Sequence, residues 1–432
     1  MRTRKWTAVA GSALAVALVV SGCSSGSETA APTTGATGGA TQAPTSATTD
    51  GVLKLGYVLP ETGQLAFLGP PQISAMNYAI KLINDAGGVN GKQIGDPVTG
   101  DEAGDQAVAV QSAERVLNAG VDAVIGAAAS GMSLAIIDKV TGAKVVQCSG
   151  SNTAPTFTDY NDGGFYFRTA PSDALQGPVL ADVITGDGHD NVAVIARADD
   201  YGKGLANATA AALQNAGATV ALNETYDPNT TNFDAIVQKV VAAKPNAVAV
   251  IAFAEGAQII KALIEKGVSP KTVGIYGADG LRSAELGKLV NPKDPAVISG
   301  MKGTAPASAD NPQFTAALKA FAPTLKELQF APQIFDCVNL IALAAEQAKT
   351  DDPNVFKDKI VGLTKADGEK CSTFADCKKI IEAGKQPAYQ GASGALNFTD
   401  KGEPSSATIE VYGYDNTGTL KSLETVESKP LS

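Results

Sequence analysis

Beyond about residue 50 the chain alternates short apolar runs with longer segments whose apolar residues recur three and four apart. VLKLGYVLP, from Val52, reads as a strand, and ISAMNYAIKLINDAGG, from Ile73, reads as a helix stopped by paired glycines. QAVAVQSAERVLNAG gives a second helix and DAVIGAAA a second strand, and SLAIIDKVTGA followed by KVVQC repeats the alternation. Strands separated by helices of about ten to fifteen residues predict a parallel sheet with helices on both faces. Ligands of such sheets sit at the carboxyl ends of the strands.

After Asp190 the pattern starts again, since NVAVIARADDYGKGLANATAAALQNAGA repeats strand, loop, helix and glycine stop. VDAVIGAAASGMSLAIIDKV can be laid on PNAVAVIAFAEGAQIIKALI. One polar residue, Ser130 in the first unit and Glu255 in the second, then stands between the small-residue end of a strand and a glycine opening a helix. The pattern predicts an α/β chain of two similar doubly wound lobes, and if these face each other Ser130 and Glu255 meet across a cleft. Helix capping is the structural alternative for Ser130, and an exposed helix-start acid favoured by the helix dipole is the alternative for Glu255.

The N-terminus changes the compartment. MRTRKWTAVAGSALAVALVVSGC carries three cations, then an apolar run from Ala8 to Val20, then Val20-Ser21-Gly22-Cys23. This is an export signal over residues 1–22, and its last four residues resemble the lipobox of bacterial lipoproteins, which implies acylation at Cys23. Residues 23–50, almost all Ser, Thr, Gly, Ala and Pro, read as a flexible tether. Loss of Arg2, Arg4 and Lys5 with the leader takes the net charge from −10 to −13, which argues against nucleic acid and against electrostatic adhesion to anionic lipid. With Cys23 given to lipid, Cys371 and Cys377 in CSTFADC read as a local disulfide of an extracytoplasmic protein. Cys148 and Cys337 are either bridged or buried thiols.

Catalytic signatures are missing. The single histidine, His189 in GDGHDN, reads as a surface-turn residue; beyond the leader, whose end Gly22-Cys23-Ser24-Ser25-Gly26 follows no α/β strand, there is no G-x-S-x-G elbow, and the sequence has no H-E-x-x-H and no phosphate loop. No enzyme activity, metal site, nucleotide or other cofactor is expected.

GYVLPETGQLAFLG with the INDAGGVNGK helix end, GAAASGMS, SGSNTAPTFT, FYFRTAPSDALQG, ADDYGKG, AFAEGAQ and GALNFTDKGEP follow one another from about Val52 to about Leu423. In this order and rough spacing they resemble the extracytoplasmic solute-binding proteins of ATP-driven branched-chain amino acid importers. The resemblance implies the type I periplasmic binding protein fold with three crossings between lobes, near Pro171, Gly300 and Ala392. Lobe one would hold 51–171 and 302–390, and lobe two 172–301 and 391–428. It further implies a monomer anchored by lipid to the outer face of the cell membrane, partnered by ABC permease subunits. The ligand would be a small zwitterionic amino acid, branched-chain by preference. The alternatives are a sensor lipoprotein, or a binder of small amides, urea or aromatic acids.

Site roles follow from the same resemblance. A zwitterion leaving water needs both charges hydrogen-bonded, and short hydroxyl residues at strand ends supply those bonds compactly. Ser130 and the Ser151 N–H would hold the carboxylate, and Thr153 and Glu255 the ammonium. Asp173 would be a second ammonium-binding acid, or with Gln176 a capping box. Tyr201 would line the cleft from lobe two. Phe67, Leu68, Tyr276 and Leu281, apolar residues in loops expected at the cleft, would receive the side chain. Where the family commonly has proline after the first serine of the SGSNT loop, this chain has Gly150.

Overall fold

A computed structural model describes residues 49–307 and 311–428, so the export signal, Cys23 and nearly all of the tether lie outside the described residues. Four parallel strands, β1 (Leu55–Val58), β2 (Ala123–Gly126), β3 (Val146–Ser149) and β4 (Tyr166–Arg168), lie side by side in that order and are buried throughout. Parallel bridges from Gly56 to Val98 and from Leu59 to Asp101 add one more segment outside β1. The winding direction therefore reverses between β1 and β2. Alternate strand residues serve opposite faces. Leu55, Tyr57, Ala123 and Ile125 join one core with α1 (Gly69–Asp85), while Val58 and Val124 join another with α2 (Gln106–Asn118) and α3 (Ser130–Gly142).

The second lobe repeats this order in a larger sheet. Strands β5 (Asn191–Arg197), β6 (Thr219–Tyr226), β7 (Ala247–Ile251), β8 (Gly274–Gly277) and β9 (Lys302–Pro306) are parallel and run β6-β5-β7-β8-β9 across the sheet. The reversal here falls between β5 and β7. Helices α4 (Asp173–Gly186) and α5 (Asp200–Asn215) cover one face, and α6 (Asp234–Ala243), α7 (Gly256–Glu265) and the short α8 (Leu286–Val290) the other.

The chain then returns to lobe one for α9 (Pro312–Phe321), α10 (Ala331–Ala348), α11 (Pro353–Leu363), the strand β10 (Glu369–Cys371), α12 (Phe374–Glu382) and β11 (Pro387–Tyr389). Helix α10 is buried from Ala331 to Glu346 and fills the space beside β2 and β3. Finally β12 (Thr408–Tyr414) and β13 (Leu420–Glu427) extend the larger sheet antiparallel from β9.

Two of the expected lobe boundaries shift. Residues 302–306 do not open the second half of lobe one, because β9 pairs with both β8 and β12 and Ala305 packs in the lobe-two core. Residues 391–398 do not belong to lobe two. The buried Asp336 of α10 accepts the backbone N–H groups of Ala392 (2.7 Å) and Ser393 (2.9 Å), and Leu396 and Phe398 enter the lobe-one core. The periodicity of single segments cannot reveal which sheet a late strand joins. Pro171, Ala307 and Ala407 line one small cavity of about 50 Å³, so the three connectors run close together.

Both disulfides are formed, Cys371–Cys377 with Cα atoms 5.2 Å apart and Cys148–Cys337 with Cα atoms 5.9 Å apart. The second ties the carboxyl end of β3 to α10, two residues before Gly150. A Cβ on Gly150 would lie 2.7 Å from the Ile334 nitrogen and 2.9 Å from the Gln333 carbonyl carbon. Glycine is therefore required where α10 presses on this loop, which explains the departure from proline. Since a disulfide stabilises mainly by restricting the unfolded chain, the 189-residue separation of Cys148 and Cys337 corresponds to about 5 kcal/mol and the short Cys371–Cys377 loop to about 2 kcal/mol. Urea unfolding of the two double-alanine variants should show the larger loss for Cys148/Cys337; equal losses would contradict this ranking.

Candidate functional site

At the two winding reversals the strand ends face each other across the lobes, and the residues there enclose a small cavity of about 10 Å³. Lobe one supplies Leu65, Leu68, Ala128, Ala129, Ser130, Ser151 and Phe330, and lobe two supplies Tyr201, Phe253, Asp279 and Gly280. Phe330 is held at φ 62°, a conformation uncommon for a bulky residue.

Ser130 is the first residue of α3, but the cap position belongs to Ala129, so the capping alternative fails. Its hydroxyl instead accepts the Ala154 N–H at 3.3 Å, tying the β2 end to the β3 loop. The helix start is fixed from behind by Glu102, wholly buried, whose carboxyl accepts the N–H groups of Ala128 (2.6 Å) and Ala129 (3.2 Å). Burial pushes Glu102 up to about 8 against those two bonds.

Ser151 lines the cavity, although its N–H does not. That group donates to Ser149 Oγ (3.2 Å), as does the Asn152 N–H (3.1 Å), because the Ser149 hydroxyl caps the turn from inside. The Ser151 hydroxyl donates to the Ala128 carbonyl at 3.0 Å. The loop is held from below by Arg168, a fully buried side chain paired with Glu403 that also donates to the carbonyls of Asn152 (3.3 Å) and Ala154 (2.8 Å).

Tyr201 donates to Asp279 Oδ1 at 2.8 Å, accepts the Gly280 N–H at 3.2 Å and stacks on Phe253 with ring centroids 5.2 Å apart. Gln176 Nε2 donates to the same Asp279 oxygen at 2.9 Å. Behind Asp279 lies Asp173, and both acids are pushed up, Asp173 first by burial and then by the Asp279 carboxylate, Asp279 first by burial. Ser172, not Asp173, caps α4, so the capping box is absent. The Thr153 hydroxyl lies beside the buried Asp173 carboxyl, and neither group has another hydrogen-bond partner. Neither Thr153 nor Asp173 reaches the cavity wall.

Glu255 is buried at the start of α7 but is already engaged. Its Oε1 accepts from Arg197 (2.9 Å), Tyr226 (3.0 Å) and the Phe253 N–H (3.2 Å), while Oε2 has no partner. Arg197, the last residue of β5, also pairs with Asp199, donates to Gln64 of lobe one at 3.1 Å and lies 3.5 Å from the Phe253 ring centroid. Glu255 therefore stands one layer behind the cavity, and the acid in the wall is Asp279. Sequence reasoning missed Asp279 and Arg197, yet both carry the signal that singled out Ser130 and Glu255, a lone polar residue at the end of an apolar strand.

Of the apolar candidates, Leu68 lines the small cavity, and Phe67 and Leu281 line a neighbouring one. Tyr276 does neither. It lies on β8 facing α4, and its hydroxyl donates to Asp187 at 2.7 Å while His189 packs edge-on against its ring. Among the described residues no group of three or more His, Cys, Asp or Glu side chains is placed to hold a metal ion.

Two α/β lobes joined by three connectors and closing on a polar interlobe cavity are the architecture of a binding protein. Residues 52–391 match the periplasmic binding protein family, and the chain belongs to it. This is a family of extracytoplasmic solute-binding proteins, not of enzymes. The chain is 25% identical over 377 residues to a Leu/Ile/Val-binding protein homolog of Brucella melitensis, covering 86% of this chain and 94% of that one. It is 26% identical to the leucine-, isoleucine-, valine-, threonine- and alanine-binding protein of Pseudomonas aeruginosa, over 85% and 91% of the two chains. The crystal structure of a leucine-binding protein of Thermotoga maritima superposes with a TM-score of 0.72 at 21% identity, over 87% and 99% of the chains. The fold is thus that of the type I periplasmic binding proteins. Among the described residues no helix is long and apolar enough to cross a membrane.

The raised carboxyls have a measurable consequence. Glu102 keeps its proton in the folded chain up to about pH 8 but loses it near 4.5 when unfolded. Stability is therefore greatest below the unfolded value and falls as pH rises through that window. Asp122, also pushed to about 8 by burial, acts in the same direction. Urea midpoints should fall from pH 5 to pH 8, and Glu102→Gln, which keeps an acceptor for the Ala128 N–H, should flatten part of that slope. An unchanged slope in the variant would show that Glu102 is ionised in the fold.

Proposed function

We propose that the chain is the binding component of an ABC importer, lipid-anchored through Cys23, which captures an α-amino acid with an apolar side chain between its lobes and hands it to the permease. The observation that carries this reading is the opposition of Ser130 and Asp279 across one small cavity. Ser130 stands at a helix start, which favours a carboxylate. Asp279, with the buried Asp173 behind it, favours an ammonium, and the remaining wall is largely apolar. Leucine, isoleucine and valine, which the names of the relatives share, fit that pattern and put the branched-chain class among the ligands the site accepts.

In this reading Asp279 is the principal counter-charge, and Glu255, matched by Arg197, supports it through the unpaired Oε2. A cavity of about 10 Å³ has room for roughly one water, so the lobes swing apart about the three connectors to admit an amino acid and close again on it.

Calorimetry on protein unfolded and refolded to remove carried ligand should detect leucine, isoleucine or valine. Asp279→Asn should weaken that binding by a hundred-fold or more, the equivalent of roughly 3–5 kcal/mol for leaving a buried ammonium unpaired, and Glu255→Gln should weaken it less. If no zwitterion binds while a simple amide or aromatic acid does, the amino-acid reading is wrong. Small-angle scattering should show a smaller radius with ligand than in the emptied protein; an unchanged profile would argue against closure.

A further inference from the structure

Beside the polar cavity a second one of about 400 Å³ lies between the lobes. Phe67 and Pro71 at the start of α1, Leu325 before α10, and Leu281, Leu286 and Ala284 of lobe two are among its walls. The two cavities are back to back. Gly280 lines both, and the chain neighbours Phe67–Leu68, Phe253–Ala254 and Gly280–Leu281 place one residue in each. Where they meet, glycine lets the chain lie close against Phe253. A Cβ on Gly280 would stand 2.6 Å from Phe253 Cδ1 and 2.8 Å from the Ala252 carbonyl oxygen.

We infer that the larger cavity receives the apolar side chain of the ligand and favours side chains bulkier than leucine's, aryl groups foremost; this rests on the α-amino acid reading above. An apolar cavity of about 150 Å³ already takes up benzene, so 400 Å³ extends well beyond a four-carbon branch. A short side chain would leave much of the wall without contacts, whereas each further buried methylene adds roughly a factor of four in affinity. Phe67 offers an aromatic surface for offset or edge contact. The wall does not suit a charged side chain. Glu285 is paired with Lys288 at 2.9 Å, Glu327 accepts the Ala284 N–H at 3.0 Å and faces Arg282 at 3.8 Å, and Lys326 is exposed at the rim.

The test uses the whole chain in mild detergent, unfolded and refolded before titration. Valine, leucine, phenylalanine and tryptophan are compared by calorimetry, together with the deaminated acids 3-methylbutanoate and 3-phenylpropanoate. Phenylalanine should bind at least about tenfold more tightly than valine, and Ala284→Trp should bring that ratio close to one. Ala284 is exposed and bonds Glu327 only through its backbone, so the variant should fold, which its melting curve reports; Leu325→Trp fills the cavity from the other lobe if it does not. Tightest binding of valine or leucine, or a phenylalanine advantage untouched by filling the cavity, overturns the inference and leaves the amino-acid reading standing. Binding of 3-phenylpropanoate but of no amino acid, abolished by Ala284→Trp, overturns the amino-acid reading and supports the cavity assignment. If neither series binds, both fall.

Discussion

The arrangement of the cleft depends on one cation. Arg197 ends β5 at the winding reversal of lobe two and is shared among Glu255, Asp199 and the lobe-one side chain Gln64. Without it Glu255 would be a buried carboxylate with no counter-ion, a cost of several kcal/mol. Its presence sorts the acids of the site into two kinds. Glu255 is neutralised by the protein itself, whereas Asp279 and Asp173 have no cation of their own within hydrogen-bonding reach and are pushed toward their protonated forms. Only the second pair has a charge deficit that an incoming cation can relieve, and of the two Asp279 borders the cavity.

The opposing wall is built by long-range contacts instead of local ones. The loop after β3 is shaped by Ser149 from within, by Arg168 and its partner Glu403 from below, and by α10 from the side. Glu403 and α10 come from parts of the chain more than 150 residues downstream. A loop of small polar residues has little packing of its own. Its path is set because three distant elements leave it no other, and the discontinuous lobe is the means of bringing them there.

The lobes and their strand ends were legible in the sequence because period-2 and period-3.6 patterning, glycine stops and an internal repeat are local signals. Ser130 could be placed on the cavity wall from its position after a strand, and Tyr201 from the family resemblance. The choice of acid could not be made that way. Glu255 and Asp279 both follow apolar strands, and what separates them is Arg197, a partner 58 residues from Glu255 in sequence. Tyr276 failed for a related reason: alternation along β8 decides which face a side chain takes, and a four-residue strand offers too short a pattern to read. The second and third connectors were misplaced because β9 and the 391–398 segment are assigned by their partners, Tyr412 and Asp336 among them, and not by their own composition.

The bridge between Cys148 and Cys337 also imposes an order in time. Cys148 leaves the ribosome 189 residues before its partner, and thiols pair durably only in an oxidising compartment. The loop after β3 can be locked only after α10 has crossed the cell membrane and packed into lobe one. A precursor still inside the cell lacks the covalent tie between this loop and α10. Completion of lobe one is thereby coupled to arrival in the oxidising compartment.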